Sequence, residues 1–167
     1  MRTMLLLVVS GTAMLMDLCW MRVKNGWIVL ALAMGLMVQC LERGAAGITE
    51  FVPGALLPLA VLGVLFYFRM LGAGDIKLFC ALGGMMGVQK ILWCMLYSFL
   101  LGGILSLTIL IFWGDVRGRM QYFLNYFREL FLTGEIRPYC RAGMQIENFH
   151  FTVPVFLSVM LYAGGWY

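Results

Sequence analysis

The chain has 167 residues, of which 63% are apolar and only 12% are charged, with a formal net charge of +4 and a mean hydropathy of +0.93. A soluble domain carries roughly twice this charged fraction, so the composition excludes an ordinary water-soluble fold. The basic residues lie between apolar stretches and form no single patch, which argues against nucleic-acid binding and favours loops beside a lipid bilayer.

Apolar stretches of about 17–25 residues are candidates for transmembrane helices. In chain order the candidate stretches run over 3–21, 26–41, 51–68, 76–89, 91–114 and 151–167. The fourth is short and glycine-rich, and Pro53 and Pro58 are expected to bend the start of the third. These stretches predict an all-α, polytopic membrane helix bundle of about six helices in a single domain, 1–167. We assign the glycines at 83, 84, 87, 102 and 103 to close helix packing.

The fifth connection, 115–150, is the only long polar segment. Within it, the stretch 121–132 has an apolar side formed by Phe123, Phe127, Leu130 and Phe131. Its polar side consists of Gln121, Asn125, Arg128 and Glu129. This pattern predicts an amphipathic helix along the cytoplasmic interface, with a solvated loop as the alternative.

Lysine and arginine are unevenly divided between the two sides of this predicted bundle. The odd-numbered connections hold nine of them: Arg22, Lys24, Arg69, Lys77, Arg117, Arg119, Arg128, Arg137 and Arg141. The other side holds three: Arg2, Arg43 and Lys90. Because cytoplasmic loops carry the excess of positive charge, the odd connections are predicted to be cytoplasmic and both termini to lie outside. If the stretch 76–89 does not cross the membrane, the fifth connection and the C-terminus change sides.

Two aspartates lie at the cytoplasmic ends of predicted spans. Asp17 is about one turn before the end of the first span, and Asp75 opens the fourth. Charged groups in such places are costly and indicate function. Two adjacent carboxylates can share a proton, so that one activates water as a general base and the other protonates a leaving amine.

Each aspartate also has a structural interpretation. Asp75 could be the N-cap of the fourth helix, with the glycines before it forming a tight turn. Asp17 could reach the interface or pair with Arg22 or Lys24. A helix N-terminus would lower the pKa of Asp75, which favours Asp17 as the holder of a shared proton.

Three segments resemble a known family. The segment 72–78, with the sequence GAGDIKL, resembles the GxGD motif of type IV prepilin peptidases, which are membrane aspartyl peptidases. Asp17-Leu18, Arg22-Val23 and Asn25-Gly26-Trp27 are similar to the first motif of that family, although Lys24 stands where the family usually has proline. The segment 151–156, FTVPVF, is similar to the proline-containing start of the last span.

The resemblance implies that Asp17 and Asp75 are catalytic and that Gly72 and Gly74 supply the backbone of the motif. It makes Arg22, Asn25 and Lys77 candidates for orienting the aspartates or contacting substrate, although loop cations usually only set topology. The implied activity is cleavage of a short basic leader from a prepilin-like protein, typically after a glycine. The implied location is the cytoplasmic face of a bacterial or archaeal membrane.

The five cysteines, Cys19, Cys40, Cys80, Cys94 and Cys140, are scattered singly and form no CxxC pair. A zinc site or a redox pair is therefore not expected. Larger members of the family add a tetracysteine zinc domain and methylate the new N-terminus. The chain resembles the minimal, peptidase-only branch associated with Flp/Tad-type pili, so no cofactor, metal or N-methylation is expected.

Two other functions remain as alternatives. Presenilin-like peptidases also use a GxGD aspartate, but they carry a Tyr-Asp pair and a Pro-Ala-Leu motif, whereas here Met16 precedes Asp17 and the late proline reads Val153-Pro154-Val155. A non-enzymatic subunit of a pilus or secretion assembly would be indicated by loss of an aspartate, and both are present. The single histidine, His150, is interpreted as a residue at the boundary between loop and membrane.

Overall fold

The computed structural model describes residues 2–21, 23–68, 70–113, 121, 125, 128 and 150–167. These residues form six continuous helices and no strand, which confirms the all-helical fold class. The helices are α1 Arg2–Trp20, α2 Asn25–Arg43, α3 Ala45–Tyr67, α4 Ala73–Met86, α5 Val88–Trp113 and α6 Thr152–Ala163. Within the described part, α1, α2, α3 and α5 are long and apolar enough to cross a membrane, so the chain is a membrane protein.

The remaining two helices are shorter than a bilayer requires. Helix α4 has 14 residues and α6 has 12. At 1.5 Å per residue, α4 is about 21 Å long, whereas the hydrocarbon layer is about 30 Å thick. Gly87, with φ at 84°, ends α4. That all six apolar stretches cross the membrane therefore stays a prediction.

The connection between α2 and α3 is much shorter than expected. Only Gly44 separates the two helices, and its φ of 60° is a left-handed conformation that glycine adopts without strain. Helix α3 thus begins at 45 and not at 51, and both Pro53 and Pro58 lie inside it. The gap between the second and third apolar stretches, 42–50, is therefore mostly helical. Its charged residues Arg43 and Glu50 lie on helix surfaces and form an exposed ion pair.

Helix α4 lies at the centre of the bundle, in contact with α1, α2 and α3. Most of its residues after Asp75 are buried: Ile76, Leu78, Phe79, Ala81, Leu82, Gly83, Gly84, Met85 and Met86. Because neighbouring helices surround it, the apolar sequence of α4 reflects burial in protein. The start of this helix carries Asp75.

Helix α1 packs against α6 along one stripe. The buried residues of α1 are Leu6, Val9, Ser10 and Ala13, spaced as one helical face. Asp17 continues that face one turn further on. Close approach is allowed by Gly11, where an added Cβ would lie 3.2 Å from the Phe156 ring. The packing therefore directs the end of α1 toward the beginning of α6.

The chain divides into two compact units, Met1–Gly102 with His150–Tyr167, and Gly103–Phe149. The site described below lies entirely in the first unit. Of the predicted interfacial helix 121–132, only Gln121, Asn125 and Arg128 are described, and each is helical and exposed. The apolar side of that helix lies outside the described residues, so its amphipathic character stays a prediction.

Candidate active site

Asp17 and Asp75 line the same cavity, which has a volume of about 430 Å³. The cavity lies where the end of α1, the start of α2 and the start of α4 meet. Its other lining residues are Met21, Val23, Lys24, Asn25, Gly72, Ala73, Gly74 and Lys77. The structure thus brings together two carboxylates that are far apart in the sequence.

The Asp17 carboxylate is held by two side chains from the start of α6. Thr152 donates a hydrogen bond from Oγ1 to Asp17 Oδ2 at 2.8 Å. His150 Nδ1 lies 3.0 Å from the same oxygen. The side chain of Asp17 is 17% exposed, so it is partly buried but reachable from the cavity. Within the described residues, Asp17 therefore pairs with the start of α6 and not with Lys24, while Arg22 lies outside the described residues.

Asp75 occupies the third position of α4 and is not its N-cap, because the N-cap residue is Gly72. Its carboxylate accepts a hydrogen bond from the backbone N–H of Gly72, as acidic groups at this position commonly do. It precedes the apolar part of the helix. Burial, then the nearby charge of Asp17, raise the pKa of Asp75 from 3.8 to about 6, against the lowering effect of the Gly72 hydrogen bond.

The pKa of Asp75 is therefore raised, whereas the sequence led us to expect that a helix N-terminus would lower it. Desolvation and repulsion between the carboxylates outweigh the hydrogen bond to the helix end. Asp75 is therefore better suited than the sequence suggested to hold a proton near neutral pH.

Two of the three candidate supporting residues also lie at the cavity and contact each other. Lys77 Nζ donates to Asn25 Oδ1 at 2.9 Å, which connects the starts of α4 and α2. Lys24 Nζ lies 5.2 Å from the centroid of the Trp20 ring, a cation–π contact. The third candidate, Arg22, lies outside the described residues.

The two motif glycines differ in what they contribute. Gly72 is extended, with φ at −74° and ψ at 145°, and a Cβ built on it would lie 3.1 Å from Asp75 Oδ2. A side chain there would crowd the carboxylate. An added Cβ on Gly74 meets nothing within 4 Å. Neither Gly72 nor Gly74 has a positive φ. The turn expected before α4 therefore does not require a left-handed backbone conformation at these glycines.

A strained residue, Met21, directly follows α1 and lines the cavity. Met21 has φ at 52°, a conformation that is costly for a residue with a side chain. Its N–H donates to the Asp17 carbonyl oxygen at 2.8 Å. The chain therefore turns sharply directly after the helix that carries Asp17, which keeps the connection to α2 short.

The sequence analysis did not assign His150 and Thr152 to the site. A signal for them was nevertheless present. The charge asymmetry predicts that the fifth connection lies on the same side of the membrane as both aspartates, and therefore that the last apolar stretch begins at a similar depth. Which neighbour Asp17 would face depended on helix packing, which charge counting does not give.

Chemically, the site combines a hydrogen-bonded carboxylate with a second carboxylate whose pKa is raised toward neutrality. Such a pair supports general base and general acid catalysis of hydrolysis. No group of three His, Cys, Asp or Glu side chains that could hold a metal ion occurs in the described ranges.

The fold and the site together define a helical membrane protein with two aspartates on one cavity. A family model described as the type IV leader peptidase family matches residues 4–107, a range that contains both aspartates and most of the helices. The chain therefore belongs to the type IV leader peptidase family, as its motifs indicated, and is a peptidase. No curated protein and no solved structure matches the chain.

Proposed function

We propose that the chain is a membrane aspartyl endopeptidase that removes the short basic leader from type IV prepilin-like precursors, in the manner of the Flp/Tad-type branch. The proposal concerns cleavage of a peptide bond and no methyl transfer. The observation that carries it is the shared cavity of Asp17 and Asp75. Membership of the type IV leader peptidase family supports the class of substrate.

In the proposed mechanism Asp17 is the general base and Asp75 the general acid. Asp17 takes a proton from water, whose oxygen attacks the scissile carbonyl carbon and forms a tetrahedral intermediate with one hydroxyl group and one oxyanion. Asp75 then gives its proton to the amide nitrogen, the C–N bond breaks, and the products are a carboxylic acid and an amine. The raised pKa of Asp75 and the two contacts made by Asp17 Oδ2 favour this division of roles.

We further propose that the cavity opens at the cytoplasmic face, with both termini outside. The connections next to the cavity contain Lys24 and Lys77, and the positive-inside bias favours the cytoplasm for them. A precursor whose apolar helix lies beside the bundle would then present its leader in the cytoplasm.

The test is co-expression with a reporter that has a short basic leader ending in glycine, an apolar transmembrane helix and an epitope tag. Asp17→Asn and Asp75→Asn should each abolish conversion of the reporter to its shorter form on an immunoblot, because an amide neither takes nor donates the required proton. The matched control is Glu50→Gln, the same carboxylate-to-amide change at an exposed ion pair.

Membrane levels of every variant are compared on the same blot. Wild-type processing by either aspartate variant would show that the two carboxylates do not form the catalytic pair. Processing that fails equally in Glu50→Gln would show that the assay reports folding and not chemistry.

A further inference from the structure

Two contacts converge on a single atom, Asp17 Oδ2. The Thr152 hydroxyl approaches at 2.8 Å and His150 Nδ1 at 3.0 Å, from residues at or beside the first turn of α6. Both residues lie outside the range 4–107 that matches the family, so family membership assigns neither of them a role. An ionised carboxylate oxygen only accepts hydrogen bonds, and two donors on one oxygen fix the plane of the group.

The direction of the Thr152 hydroxyl is informative. Four other helical hydroxyls in the described part of the chain donate to the carbonyl four residues earlier: Ser10, Thr12, Ser98 and Thr108. Thr152 is the first residue of α6, and its hydroxyl instead crosses to α1. Thr152 is 1% exposed, and a buried hydroxyl needs such a partner.

The histidine ring adds a second donor. Because an ionised carboxylate only accepts hydrogen bonds, the proposed role of Asp17 as general base requires a proton on His150 Nδ1. The His150 side chain is 21% exposed, so it lies at the edge of the site and not in its interior.

We infer that His150 and Thr152 are positioning residues that hold Asp17 through Oδ2, so that its other oxygen accepts the proton from the attacking water. The inference rests on the proposed function and adds two residues to its site. The packing of α6 on α1 is then part of the catalytic geometry, because it places both donors. Removing either donor should lower the rate of the chemical step while substrate binding stays nearly constant.

The kinetic test uses purified wild-type and variant protein in detergent with the same tagged reporter. Thr152→Val, which keeps the shape but removes the hydroxyl, and His150→Leu should each lower kcat roughly tenfold to a hundredfold, with KM changed by less than about twofold. Thr152→Ser and His150→Asn restore a donor and should recover most of the rate. Thr108→Val, at an exposed hydroxyl, is the matched control and should behave as wild type.

A second measurement tests the contact without using activity. His150 is the only histidine in the chain, so its ring signals in ¹⁵N-histidine-labelled protein are unambiguous. Wild type should show the proton on Nδ1, and Asp17→Asn should shift that signal, whereas Glu50→Gln should leave it unchanged.

The outcomes separate the two proposals. Wild-type kcat in both Thr152→Val and His150→Leu overturns the positioning role even when Asp17→Asn is inactive. A fall in kcat that matches a fall in folded fraction, measured by unfolding temperature and yield, also overturns it. If wild type fails to cut the reporter while the ring signal still responds to Asp17→Asn, the peptidase proposal is overturned and the contact is purely structural.

Discussion

Gly54 of α3 and Gly83 of α4 face each other with no side chain between them. A Cβ built on Gly83 would lie 2.2 Å from the Gly54 carbonyl oxygen, and one built on Gly54 would lie 2.3 Å from that of Gly83. Both distances are far shorter than a non-bonded contact between a carbon and an oxygen atom. The two oxygens belong to the backbone, so they cannot rotate away as a flexible side chain could. The two helices therefore touch along their backbones, as small residues allow in membrane bundles.

Gly83→Ala is expected to separate α3 from α4 and to lower the free energy of unfolding by about 1–3 kcal/mol. The measurement is the unfolding temperature of the purified protein in detergent. Gly63→Ala, in α3, is the matched control, because an added Cβ there meets nothing within 4 Å. Equal unfolding temperatures for the two variants would contradict the close contact.

This contact shows what the sequence could and could not provide about the fold. The apolar stretches predict the helices, and the glycine-rich composition of 83–87 indicates that Gly83 serves helix packing, but it does not indicate which helix packs there. Gly54 is not indicated in this way, because the pairing of α3 with α4 is a tertiary relationship that no local pattern encodes. The same composition indicates packing for Gly87, yet Gly87 ends α4 with a positive φ. Local composition does not distinguish these two uses of glycine.

Gln39 connects α2 to α4 through a buried amide. Its Nε2 donates to the Gly84 carbonyl oxygen at 3.3 Å, and its Oε1 accepts from the Arg2 guanidinium. Gln39→Leu keeps the approximate volume but removes both bonds, so we expect a loss of about 1–2 kcal/mol of unfolding free energy. Glu50→Gln breaks an exposed ion pair and should cost less than about 1 kcal/mol. Chemical unfolding in mixed micelles measures both, and an equal cost would argue against a structural role for the buried amide.

Some residues of the site can be identified from the local sequence, whereas others are identified only by the packing of the helices. Asp17 and Asp75 could be identified from the sequence because a carboxylate beside an apolar stretch is costly and the GAGDIKL motif is specific. Thr152 could be expected only on the same side of the membrane as the aspartates, since one hydroxyl at the start of an apolar helix is ordinary and does not by itself indicate a site. Its importance comes from the packing of α6 on α1, which depends on contacts such as that of Gly11 with Phe156.

Tyr167 holds the end of the described chain against α6. Its hydroxyl donates to the Ser158 carbonyl oxygen at 2.8 Å, and its ring stacks on Tyr97 of α5 with centroids 4.8 Å apart. Tyr167→Phe should lower the free energy of unfolding by about 1 kcal/mol, because the Ser158 environment is buried and the lost bond is not replaced by water. Tyr67→Phe, at a side chain that is 74% exposed, is the matched control. Unfolding temperatures that fall equally in both variants would contradict this account.

The raised pKa of Asp75 predicts that the carboxyl group needed for activity lowers the stability of the folded protein near neutral pH. In the folded state the Asp75 carboxyl group keeps its proton up to about pH 6, whereas in the unfolded state it releases the proton near pH 3.8. Wild-type stability should therefore fall as pH rises from about 4 to about 6, because there the folded state binds more protons. Asp75→Asn lacks this step, so the inactive variant should unfold at a higher temperature than wild type above about pH 6, and the difference should shrink toward about pH 4. Melting curves across that range measure it. Parallel curves for the two proteins would show that Asp75 is not destabilised by burial and by the charge of Asp17.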